Sequence, residues 1–79
     1  MADNQLVVIA SVRSDEFESL AELFRKYGVE VPAIPRQGPD MPFATNNGME
    51  MFPTLQMEVP AHDVARARSL YLSWMNSSE

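Results

Sequence analysis

Apolar residues along this chain fall into five short patterns, most of them set apart by prolines and glycines. Leu6-Val7-Val8-Ile9-Ala10-Ser11-Val12 is a nearly continuous apolar run rich in β-branched residues. Its length and branching predict a strand rather than a core helix. Phe17, Leu20, Ala21, Phe24 and Tyr27 then recur at helical spacing, with Asp15, Glu16 and Glu18 at the start and Arg25 and Lys26 at the end. That charge order suits the helix dipole. Ser14 or Asp15 is the expected N-cap, and Gly28 the residue that ends the helix. Val29-Glu30-Val31-Pro32-Ala33-Ile34 alternates like a strand, but Pro32 lacks an N–H and confines it to a sheet edge. Thr54 to Val59 alternates cleanly, with Leu55, Met57 and Val59 facing one way. Pro60 ends that strand and opens a second helix, from about Ala61 to Met75.

The order strand, helix, strand, strand, helix predicts an α+β fold over a single domain, residues 1–79. It corresponds to a βαββα ferredoxin-like sheet lacking its fourth strand, with both helices on one face. The last strand fits between the other two, antiparallel to both. The first strand, with no Pro, no Lys and no inward charge before Arg13, then has an edge open to pairing.

The connection over residues 36–53 is too long for an ordinary hairpin turn, and loops of that length are usually functional or disordered. It holds Met41, Phe43, Met49, Met51 and Phe52, a content that disfavours disorder. Asn47-Gly48 is a turn signal that would cap a small β-arm. Methionine adapts to irregular surfaces, which makes these five residues candidates for partner contact. The competing reading is a lid over the local core. The second helix carries apolar residues around well over half its circumference, more than one sheet face uses. Either the loop covers the surplus, or Tyr71, Leu72, Trp74 and Met75, together with Val8 on the first strand, form a homodimer interface. Arg68 projects into the same arc. There it would meet a partner carboxylate or an anion, or pair locally with Glu58.

Composition narrows the function classes. The chain has 79 residues, no Cys and a formal net charge of −5. A domain so small needs help from a partner or a well-packed core, because neither disulfides nor a thiolate zinc site is available. Six Lys plus Arg, spread over the chain, provide no basic stripe for nucleic acid. The N-terminus has no basic leader and no run long enough for a membrane span, so the expected location is the cytoplasm. No residue set nominates a catalytic centre, a metal site or a cofactor. His62 and Asp63 are adjacent in the second helix and have no nucleophile beside them. There is no phosphate-binding glycine loop.

Val8-Ile9-Ala10-Ser11, followed by the segment from Glu18 through Gly28 to Val31, resembles the opening of the small PII-like prokaryotic signal-transducing proteins. Met57-Glu58-Val59-Pro60 through Leu70 resembles the same family's closing strand and helix. The resemblance leaves out the loop over residues 36–52, which is richer in Met and Pro than that family's. It implies a ferredoxin-like half-fold and a regulatory role, without catalytic residues to carry over. The leading expectation is therefore a non-enzymatic regulatory or protein-interaction module, such as a bacterial or phage protein that inhibits a host protein. The alternatives are a PII-like sensor binding an anion near Arg68 and Arg36, and a dimeric ferredoxin-like enzyme with a shared site at His62.

Overall fold

The computed structural model describes residues 5–77. Strand β1 (Leu6–Arg13) leads into helix α1 (Phe17–Lys26). After an irregular stretch come β2 (Met41–Thr45), β3 (Gly48–Phe52) and β4 (Thr54–Pro60). One 3-10 turn (Ala61–Asp63) then feeds helix α2 (Val64–Ser77). The fold is α+β, as the patterning predicts.

Helix α1 forms where expected, but neither Ser14 nor Asp15 caps it. Glu16 occupies the N-cap position without a side-chain cap bond. The Asp15 carboxylate is taken instead by Arg13, whose Nε and Nη2 donate to it at 3.1 and 2.7 Å. Gly28 ends the helix at φ +81°. Its N–H donates to the Arg25 carbonyl (3.1 Å), while the Val29 N–H donates to the Phe24 carbonyl (2.9 Å). This crossed pair satisfies carbonyls that the helix end would leave bare and brings Val29 close to Phe24, both of them buried. Arg66 of α2 donates to the Tyr27 carbonyl at 3.0 Å, placing a cation at the negative end of α1.

β1 and β4 pair antiparallel, setting Val7 against Val59, Ala10 against Met57 and Val12 against Leu55. Ala10, Val12, Leu55, Met57 and Val59 belong to the layer that packs on the helices. Met57, Val59, Leu20, Ala21, Phe24, Val29 and Ala67 are all completely or almost completely buried there. The alternate positions on β4, Thr54, Gln56 and Glu58, face away from that layer. The β1 register slips between Val8 and Ala10, leaving Ile9 as an extra residue. Such a bulge twists an edge strand, a form of edge protection that the run of apolar residues does not announce.

The strand expected over Val29–Ile34 does not form. Val29 is buried, but Ile34 is 87% exposed and no residue of the segment joins a ladder. Pro32 and Pro35 remove two donors in four residues, so the chain cannot bond along β4 until it has passed them. Pairing starts at Arg36, whose carbonyl accepts the Gln56 N–H at 2.8 Å. Gln37 bridges Leu55 antiparallel, and the Gly38 N–H donates to the Thr54 carbonyl at 3.0 Å. β4 thus lies between β1 and this short third member, antiparallel to both.

Gly38 lies against the sheet. A β-carbon there would stand 2.6 Å from Thr54 Oγ1 and 3.4 Å from Ser11 Oγ. The Thr54 hydroxyl donates to the Pro39 carbonyl at 2.6 Å and holds the chain down just before it leaves the body.

Candidate functional site

β2 and β3 form a hairpin arm of their own, with Met41 opposite Phe52, Pro42 opposite Met51, Phe43 opposite Glu50, Ala44 opposite Met49 and Thr45 opposite Gly48. Asn46 and Asn47 make the turn, and Gly48 leaves it at φ +101°, a conformation that strongly favours glycine. The Thr45 hydroxyl accepts the Asn47 N–H at 3.1 Å and lies 3.1 Å from both the Gly48 carbonyl and a Glu50 carboxylate oxygen. Neither arm strand joins the β1–β4 sheet.

Because side chains alternate across a strand, the arm has two distinct faces. Met41, Phe43, Thr45, Glu50 and Phe52 share one. Pro42, Ala44, Met49 and Met51 make up the other, which is wholly apolar and exposed, with Met49 at 66% and Met51 at 62%. The expected contact residues Met41, Phe43, Met49, Met51 and Phe52 are thus brought onto one element but divided between its faces. Phe43 and Phe52 belong to the arm's anchorage, while Met49 and Met51 are free of it.

The anchorage is built on Arg13, a residue the sequence pattern does not single out. Its guanidinium carbon sits 4.1 Å from the Phe52 ring centroid and 5.6 Å from that of Phe43. The two rings meet edge to face at 5.9 Å. The Asp15 hydrogen bond, with the nearby Asp15 and Glu16 charges, raises the Arg13 pKa above its ordinary value against some loss of solvation. The Ser14 N–H donates to the Pro53 carbonyl at 3.0 Å and closes the root from the other side. A charge ending an apolar strand is the one signal that marks Arg13 in the sequence.

Beside the root, Arg13, Glu16, Phe43, Tyr71, Trp74 and Met75 line a groove of about 300 Å³. Tyr71 and Trp74 stack at 6.2 Å, are half-buried and pack against the core, and Trp74 Nε1 donates to Ser19 Oγ at 3.3 Å. Leu72 (59%) and Met75 (48%) on α2 and Val8 (46%) on β1 are exposed, so the arm does not cover the surplus apolar surface of α2. Asp15, Glu16, Glu18 and Glu22 on or before α1 are all exposed.

Arg68 is exposed on α2 and is not the partner of Glu58. That carboxylate, almost buried, lies 3.9 Å from Arg36 Nε, the other arginine expected to receive an anion. His62 Nε2 lies 3.5 Å from Asp63 Oδ2. Among the described residues no hydroxyl is hydrogen-bonded to His62, no group of His, Asp and Glu could hold a metal ion, and no helix is long and apolar enough to cross a membrane. No family model, curated protein or solved structure matches the chain.

Proposed function

We propose that the chain is a non-enzymatic module that binds another protein through its hairpin arm. The observation that carries this reading is the arm's outer face, Pro42, Ala44, Met49 and Met51, exposed and without a polar side chain. Among the described residues, none of the four belongs to the core or packs against it. A lone two-stranded hairpin is marginal in water, and covering one face with a partner is the ordinary way such an element becomes stable. Methionines suit that role because their flexible, polarisable side chains follow an irregular surface. Blocking a host protein by occupying its surface is the regulatory action that fits a small acidic chain of this kind.

The test is a capture from native-host lysate with the wild type and the double variant Met49→Ser/Met51→Ser, each also melted alone. A stoichiometric protein retained by the wild type and lost by the variant, at an unchanged melting temperature, is the expected result. Retention by both, or a co-purifying metabolite in place of a protein, would contradict it.

A homodimer is the second reading, favoured by the exposure of Leu72 and Met75 on α2, with Val8 on the opposite face of the sheet. Sedimentation equilibrium at micromolar concentration should then show a dimer, dissociated by Leu72→Glu. A single species at the 8.9 kDa monomer mass would exclude it.

A further inference from the structure

We infer that the outer edge of β3 is a strand-docking site for an extended partner segment that alternates apolar and basic residues. This rests on the arm being the docking element. An antiparallel pair of the hydrogen-bonded kind exchanges two N–H···O bonds. Pro42 has no N–H, so its pair with Met51 is of the other kind, in which both residues turn their backbone groups away from the ladder. Alternation makes Ala44 and Met49 a pair of the same kind. The N–H and C=O groups of Met49 and Met51 therefore line the free edge of β3. The opposite edge, along β2, has no donor at Pro42 and is blunted. The arm thus presents one receptive edge, and among the described residues no third strand pairs with it.

Glu50 decides the occupant. It lies between Met49 and Met51 on the other face of the strand and is exposed. A second copy pairing on this edge about a two-fold axis at Glu50 would set two like charges directly opposite, which is destabilising. Centring the axis on Met49 would instead run Met51 against Asn47 of the turn, and centring it on Met51 would run Met49 against Pro53. The edge disfavours its own copy. A Lys or Arg opposite Glu50 is favoured by charge, on a chain whose net charge is −5. Apolar residues on either side of that base would lie beside Met49 and Met51.

The probe is the capped peptide STVKVTS, titrated into the isotopically labelled protein, with STVEVTS as its acidic counterpart. The lysine peptide should shift the Met49 and Met51 amide signals and slow their exchange, and it should bind about fivefold more tightly than the acidic one. Glu50→Lys should reverse that preference. Met51→Ala removes the side chain and keeps the outward donor. Met51→Pro removes both, as Pro42 already lacks the donor on β2, and should bind about tenfold more weakly than Met51→Ala with the arm's other signals in place. No binding at millimolar peptide, an unaltered preference in Glu50→Lys, or equal affinity in Met51→Pro and Met51→Ala would overturn the inference. A wild-type dimer that Met51→Pro dissociates would assign the edge to a second copy. If Met51→Pro keeps the lysate partner that Met49→Ser/Met51→Ser loses, the edge is wrong while the arm remains the docking surface.

Discussion

Met57 and Met51 are the same side chain in opposite surroundings, the first completely buried and the second 62% exposed. Met57→Ala should lower the unfolding free energy by about 2–5 kcal/mol, through lost burial and the cavity left behind. Met51→Ala should stay within about 0.5 kcal/mol of the wild type. Urea denaturation of the two variants measures both, and equal losses would mean that the arm is part of the core. Gly38 is the other decisive position. Gly38→Ala forces a carbon to within 2.6 Å of Thr54 Oγ1 and threatens the Thr54–Pro39 bond, so a loss of about 1–3 kcal/mol is expected by the same measurement. The burial of Met57 is legible in the alternation of Leu55, Met57 and Val59. The role of Gly38 is not, because a glycine before a proline reads as a turn and its close neighbours come from β1 and β4.

Each regular element of the body is legible where its apolar period is unbroken, as in β1, α1, β4 and α2. Val29–Ile34 misleads because alternation alone predicts a strand, whereas two prolines deny the backbone its ladder until Arg36. The arm is legible only through Asn47-Gly48. Its strands carry apolar residues on both faces, so no inside–outside pattern marks them. The arm's stability then depends on its turn and its root. Gly48→Ala places a β-carbon at φ +101° and should cost the arm about 1 kcal/mol or more, seen as weakened strand-like chemical shifts over residues 41–52 with the body unchanged. Arg13→Ala removes the cation from the faces of Phe43 and Phe52, an interaction of about 0.5–1 kcal/mol at an exposed site. Proteolytic cleavage within residues 41–52 should quicken in that variant, while cleavage in α1 and α2 should not.

At the scale of the whole molecule, a small body carries a projecting arm. The extents are 46 × 24 × 18 Å, and the radius of gyration of 13.1 Å exceeds the value of about 12 Å for a compact chain of this length. The body uses its core residues on itself. The arm leaves Met49, Met51, Pro42 and Ala44 to solvent, with exposed carboxylates on and before α1 beside its root. An association steered by those charges should weaken as salt rises. The arm is the surface proposed to meet the partner. Hydrogen exchange of the protein, alone and saturated with the captured partner, tests it most directly. The outward amides of Met49 and Met51 should exchange rapidly in the free protein and become strongly protected in the complex. Protection confined to α1 and α2, with the arm amides exchanging as fast as in the free protein, would contradict it.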